Sequence, residues 1–372
     1  MNHRETSCSR SPALYIACGL LVAFLLAACL SSRRMPVMSG AVMELKRSDV
    51  SLGQDEKGYR STLQLFWFGS GCHLIQLGDL RVLTDPFVTN GKMVSVKSDK
   101  DRVEATFGRI TPPQVVLVNH SHFDHFMDAH AALSLDDWEK TTLYGGQSCK
   151  NLMAGWGSQD LTDRCKVVRK GGGLIIDRRI EGYHLRVTAY ESRHPPHLNC
   201  GLTVTLLEGP VEQARTTPPG PLDYKAGEVF NYLIEMKGPT GASFKVFYLG
   251  APYRLEDYPN SLPDGVKDID VALFLAPSGL RVPGYPEQHL ARLRPKHIVL
   301  DHHNTFFKED PDAQLYAAGV DFVQFEKLSR KLQEAFVNAK EYPEFKTLQV
   351  PAITVMEAGE KDKGRNVLRF EK

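Results

Sequence analysis

Four side chains able to hold a metal ion fall within six residues, His120-Ser121-His122-Phe123-Asp124-His125. The run follows directly on Val115-Val116-Leu117-Val118, a β-branched stretch that reads as a strand. Residues two apart on a strand share a face, so a strand continued to its edge lets His120 and His122 chelate one ion together. A turn into the helix suggested by Met127 to Glu139 carries Asp124 and His125 to the other side, where they can hold a second ion. Neutral imidazole and carboxylate are the usual ligands of zinc, and an open coordination position holds water. The competing readings are a histidine-rich surface turn, a packed pair and adventitious metal capture. None of them explains the strand in front.

The rest of the chain bounds where such a site can sit. With 372 residues and 42% hydrophobic content there is enough apolar surface for one large domain or two small ones, which excludes disorder for most of the length. The 45 Lys+Arg and 44 Asp+Glu nearly cancel, so no global charge recruits nucleic acid or an anionic membrane. One segment departs from this picture. A polar start with Arg4 and Arg10 leads into an apolar run from Ala13 to Ala28, then Cys29 and the pair Arg33, Arg34, which is the layout of an export signal. Within it, Leu26-Ala27-Ala28-Cys29 resembles the lipobox of bacterial lipoproteins, which implies cleavage before Cys29 and acylation of its thiol. The alternative is a plain signal peptide or an uncleaved anchor, and either exports the domain. The expected organisation is a signal peptide over 1–28, a tether over 29–60 and a catalytic domain over 61–372. The expected location is the bacterial cell envelope. Leu30 lacks the aspartate that resembles an inner-membrane retention signal, so the outer membrane, on its periplasmic face, is favoured. Cleavage leaves Cys72, Cys149, Cys165 and Cys200 besides the lipidated cysteine. An oxidising compartment permits two disulfides, with Cys149–Cys165 favoured by its short loop, or four buried thiols.

From Leu63 onward, short β-branched and aromatic runs alternate with turn signals: Leu63–Phe68, Leu74–Leu77, Arg81–Leu83, Val115–Asn119, Leu174–Ile176, His184–Tyr190, Leu202–Leu206, Asn231–Glu235, Phe244–Leu249, Val271–Leu275, His297–Leu300 and Gln349–Val355. Helical patterns are fewer and later, clearest from Glu326 to Ala339, where Leu328, Leu332 and Phe336 line one face. This mixture predicts a layered α/β domain. Asn90 to Gly108 and Gly209 to Gly227 read as surface excursions able to rim a site.

The His-x-His-x-Asp-His string after a hydrophobic strand resembles the signature of the metallo-β-lactamase superfamily. That resemblance covers about residues 62 to 360 and implies a four-layer αββα sandwich. Phe66-Trp67-Phe68-Gly69 with Leu83-Thr84-Asp85-Pro86 is similar to the paired opening strands, with Asp85 buttressing a ligand histidine from behind. Arg193-His194-Pro195 matches the third histidine of the first metal site. Asp301-His302-His303-Asn304-Thr305-Phe306 resembles an element of the subgroup containing ascorbate-phosphate lactonases and N-acyl-phosphatidylethanolamine phospholipase D enzymes, which makes His302 a ligand of the second metal and His303 its alternative. The implied ligands are His120, His122 and His194 for one ion and Asp124, His125 and His302 for the other. Zinc is expected, as one or two ions, with manganese or iron as alternatives. Two departures stand out. Gly250-Ala251 replaces the Gly-Asp that supplies a bridging carboxylate, and Gly69-Ser70 replaces a Gly-His, read as a difference on the substrate side.

The implied chemistry is hydrolysis. Zinc lowers the pKa of bound water from about 15.7 to about 7, so hydroxide is available at neutral pH. Asp124 and His122 are the expected catalytic residues, Asp124 also orienting the nucleophile. The expected substrate is a small molecule or lipid-like ester, most simply a phosphodiester or lactone, with the membrane as partner through Cys29 and no nucleic acid. A lipoprotein that keeps the fold for binding alone is the alternative, and Ala251 is the residue that sustains it. His73, His130 and His197 read as packed or surface histidines, and Arg193, Tyr253 and Arg254 as a surface group or contacts to an anionic substrate. No nucleophile elbow, phosphate-binding loop or dinucleotide fingerprint is found.

Overall fold

Along the first strand, β1 (Thr62–Gly69), Leu63, Leu65 and Trp67 face one apolar layer while Phe66 faces another. A strand buried on both faces belongs to the interior of a multilayer protein. The computed structural model describes residues 62–89, 96–199, 203–266, 269–275, 281–302, 352–355 and 367–371. The expected signal segment, tether, Cys200, His303 and the Glu326–Ala339 helix lie outside them.

Two seven-stranded mixed sheets account for most of the strands. The first runs β16 (Val367–Glu371), β1, β2 (Cys72–Leu77), β3 (Leu80–Thr84), β4 (Val115–Leu117), β5 (Thr142–Gly145) and β6 (Cys165–Val167). The second runs β15 (Ala352–Val355), β14 (His297–Asp301), β13 (Val271–Leu275), β12 (Ser243–Leu249), β11 (Val229–Lys237), β8 (Tyr183–Ser192) and β7 (Gly173–Ile180). A short hairpin of β9 (Leu198–Asn199) and β10 (Thr203–Val204) stands apart. Between the sheets lies an apolar layer of Leu65, Trp67, Ile75, Val187, Phe230, Tyr232, Val246 and Val299 among others. On the outer face of the first sheet Leu83, Val116 and Leu143 meet helix residues such as Phe107, Phe126, Leu133 and Leu152. On the outer face of the second, Phe247, Phe274 and Ile298 meet Leu290 and Leu293. Helix, sheet, sheet, helix is the expected four-layer α/β sandwich.

Several local expectations are corrected. The fourth strand stops at Leu117, so His120 and His122 sit in the connecting segment and not on a strand. The helix expected over 127–139 is broken into α3 (Ala129–Leu133) and a 3₁₀ turn, after the one-turn helix α2 (Phe123–Phe126). Residues 100–107 of the first excursion form helix α1 (Lys100–Phe107), whose start is capped by Asp99 accepting from the Arg102 amide and whose Val103 and Phe107 are buried. With α4 (Gln147–Ala154) and α5 (Gln159–Arg164), most described helices precede residue 165, with α6 (Glu287–Leu293) the exception. Strands β5, β6, β9 and β16 lie outside the expected set. The favoured Cys149–Cys165 disulfide is not formed: Cys72, Cys149 and Cys165 are free thiols, buried in the outer apolar layer as small hydrophobes. Burial pushes the Cys165 thiol up to about 12. No helix among the described residues is long and apolar enough to cross a membrane.

Candidate metal centre

The segments that follow β1, β3, β4, β8 and β14 open at one edge of the sandwich, and each brings a polar group there. His120, His122 and His194 have ring nitrogens within 4.8 Å of one another, and so do the donor atoms of Asp124, His125 and His302. The two clusters adjoin: the His120 and His125 rings are 3.8 Å apart at their centroids. All six residues singled out as ligands are therefore brought together.

The outward nitrogen of each ring decides which nitrogen faces in. His120 Nδ1 lies 2.7 Å from Asn119 Oδ1, His194 Nδ1 2.6 Å from the Pro195 carbonyl and His122 Nε2 3.3 Å from the Leu207 carbonyl. His125 Nδ1 is hydrogen-bonded to Asp85 Oδ2. Each of these acceptors selects the tautomer protonated on the outside, and the lone pair then points into the cluster. The inward nitrogens come close, His120 Nε2 to His122 Nδ1 at 3.0 Å and His125 Nε2 to His302 Nε2 at 3.1 Å. Lone pairs held that near each other repel unless a cation lies between them. The donor chemistry therefore fits a pair of divalent ions, with imidazole and carboxylate as the ligand types.

Burial keeps the rings in the neutral form that ligates metal. It pulls His120, His125 and His194 well below the usual histidine range, with neighbouring histidines adding to the effect, and it lowers His122 against the pull of Asp124. His302 goes the other way: burial disfavours its charge, but the carboxylates of Asp301, Asp124 and Asp85 outweigh it. Asp85 is fully buried and is pushed up by desolvation to about 7, against the hydrogen bonds it accepts. It takes Tyr248 Oη and His125 on one oxygen and the Asn119 amide, at 2.6 Å, on the other. One carboxylate thus ties His125 to the residue that orients His120.

Backbone strain concentrates here. Of the six non-glycine residues with positive φ among the described residues, Ser70, Asp85, Leu207 and His302 all touch this network. Such conformations persist only where surrounding contacts determine them. Ser70 is fully buried; its hydroxyl donates to the Asp124 carbonyl at 3.2 Å, and its own carbonyl accepts from the His302 amide at 3.3 Å. This corrects its reading as a substrate-side difference, because it fastens the backbone behind the second cluster. Ala251 is likewise buried, and its carbonyl accepts from Ser192 Oγ at 2.8 Å.

Three residues near the site were not anticipated in these roles. Asn119 orients His120, Tyr248 braces Asp85, and His197 stacks on His194 with centroids 4.5 Å apart while accepting from the Leu206 amide. The first adjoins the histidine string and was legible by position. Tyr248 reads as an ordinary core aromatic, and His197 had no partner in sequence. His130, by contrast, stacks on Trp156, and His73 is buried near the Gly71 carbonyl. Arg193 pairs with Glu208 and lies over the Tyr253 ring, and Arg254 faces Asp257, which is the surface arrangement.

Residues 64–208 match the beta-lactamase superfamily domain. The two layered sheets with outer helices form a four-layer α/β sandwich, and the matched segment spans most of its first sheet. A UPF0173 metal-dependent hydrolase from Pyrobaculum islandicum is 26% identical over 255 residues, covering 67% of this chain and 89% of that protein. A second, from Thermoplasma volcanium, is 34% identical over 67 residues, 18% of this chain and 25% of its own length. Among solved structures, the metallo hydrolase Igni18 from Ignicoccus hospitalis aligns with 14% identity and a TM-score of 0.45, over 84% of this chain and 99% of that one.

Proposed function

We propose that this metal-dependent hydrolase activates water at two adjoining clusters, His120–His122–His194 and Asp124–His125–His302, and cleaves a phosphodiester or a lactone. The observation that carries the reading is the convergence of six donors from distant parts of the chain at one sheet edge, with the outward ring nitrogens of four of the histidines already engaged. A bound zinc, manganese or iron ion would supply Lewis acidity and a water of lowered pKa.

The chain's own groups do the rest. Asp124 keeps 16% of its side chain exposed, so its carboxylate can be reached from solvent. Its carboxylate is placed to accept a hydrogen bond from the attacking water and so to orient it toward the scissile ester. Its Oδ2 lies 3.7 Å from His125 Nε2, beside the other donors of the second cluster. His122 contributes Nδ1 to the first cluster, while its other nitrogen holds the Leu207 carbonyl and with it the start of the 207–227 loop. The subgroup resemblance of the Asp301–Phe306 stretch is what favours a phosphodiester or lactone over an amide.

The test is elemental analysis of the full-length protein together with turnover of a generic phosphodiester and a panel of lactones. Two ions per chain with turnover of either class is the expected result. Bound metal with no turnover of any ester would favour a binding lipoprotein, the reading that Ala251 supports by offering only its backbone. A protein that takes up no metal would sink the proposal.

We further propose that the chain is held at the periplasmic face of the outer membrane by a lipid on Cys29, on the strength of Leu26-Ala27-Ala28-Cys29 and Leu30. Metabolic labelling with a fatty acid should mark the wild type and not Cys29→Ser. Equal labelling of both, or none of either, would rule out the anchor.

A further inference from the structure

Asp301 ends β14 at a position where the strand's alternation calls for an apolar side chain. Ile298 and Leu300 face the outer apolar layer and Val299 faces the layer between the sheets, so Asp301 shares the inner face with Val299. It is fully buried, and neither carboxylate oxygen has a hydrogen-bond partner among the described residues. His302 Nδ1 lies 3.4 Å from its Oδ1. The contrast with Asp85 is sharp: both carboxylates are fully buried, but Asp85 accepts bonds from Asn119, His125 and Tyr248. A buried carboxylate without donors is destabilising unless a positive charge faces it.

The charge of the site says where that positive charge comes from. Five neutral imidazoles and the Asp124 carboxylate give the six donors one negative charge between them, against four positive charges for two divalent ions. Ala251, buried beside the site, adds none. The two carboxylates behind the second cluster are Asp85, on His125, and Asp301, on His302. With Nδ1 of His302 turned to Asp301, its Nε2 is the nitrogen that faces His125 Nε2 at 3.1 Å.

We propose that Asp301 is a positioning residue that acts through His302 as the counter-charge for an ion held by Asp124, His125 and His302. This rests on the metal reading of that cluster. The ionised carboxylate faces the Nδ1–H of His302, favours the tautomer that presents Nε2, and raises the donor strength of the ring. Because it makes no hydrogen bond that holds the scaffold, its contribution is expected only when an ion is present.

The test uses full-length wild type, Asp301→Asn and His302→Ala, stripped with a chelator and titrated with zinc against a chromophoric competitor. Thermal unfolding of each metal-free form is measured alongside. Asn keeps the shape and removes the charge. The expected result for Asp301→Asn is a second ion bound about 10–100-fold more weakly, a first ion within about threefold of wild type, and a metal-free Tm equal to or above that of wild type. His302→Ala should lose the second ion outright. Unchanged affinity for both ions in Asp301→Asn, beside a wild type that binds two, overturns this proposal alone. Loss of affinity at both sites together with a lower metal-free Tm also overturns it, since that is the signature of a scaffold residue. A wild type whose stoichiometry is unaffected by His302→Ala overturns both this proposal and the two-cluster reading.

Discussion

Replacing His122 by alanine is expected to lower the bound metal from two ions to one and to reduce turnover by about a thousandfold or more, the scale set by losing a metal-activated water. The first cluster then keeps only His120 and His194, two donors where a stable zinc site needs at least three. The fold should survive. His122 is buried, its ring bonded to the Leu207 carbonyl at 3.3 Å and packed against the His120 and His194 rings, and one unsatisfied carbonyl costs about 1–3 kcal/mol. Elemental analysis, turnover and circular dichroism on the same preparation separate these effects. Wild-type turnover in a folded His122→Ala protein would remove His122, and the first cluster with it, from the mechanism. A variant that loses both ions would mean that the clusters form as one unit, which the 3.8 Å contact of the His120 and His125 rings makes physically reasonable.

What could be read from the residues follows from how local each signal is. The string from His120 to His125 is contiguous, so its ligands stand out whatever the fold. Its geometry was less legible: the strand ends at Leu117, and convergence depends on a connecting segment and on α2 rather than on strand alternation. His194, His302 and Asp85 come from elsewhere in the chain and were reached through motif resemblance. The groups that orient them are harder still. A main-chain carbonyl such as that of Leu207 or Pro195 leaves no trace in residue type, and Tyr248 alternates along β12 like any core aromatic. The helices of residues 100–164 are four to eight residues long, too short for periodicity to separate them from loops, and α1 is marked chiefly by its Asp99 cap. Strand β16 pairs with β1 across almost the whole chain, a contact no local pattern encodes.

Gly71→Ala is expected to disable the second cluster without touching a ligand. Gly71 lies between β1 and β2, and a Cβ there would collide with the Tyr248 hydroxyl and come within 2.7 Å of His302 Cε1 and 3.0 Å of Asp85 Oδ2. None of these neighbours is the loose end of a flexible surface chain. Tyr248 and Asp85 are fully buried and bonded to each other, and His302 is held by the backbone bond of its amide to Ser70. Overpacking of this kind costs about 1–3 kcal/mol. The larger effect is on function, because a methyl that pushes Tyr248 away from Asp85 also releases the carboxylate that orients His125. Second-ion affinity should fall about 10–100-fold, and turnover by about a hundredfold for a displacement near 1 Å. Gly220→Ala is the matched control: its added methyl would meet only Asp223 Oδ2, at 3.7 Å. If Gly71→Ala binds both ions as wild type does, the Tyr248–Asp85–His125 chain is not what holds the second cluster in shape. If it loses the second ion and keeps the first, the two clusters are held separately, and the close approach of backbone at Gly71 is what makes room for the second.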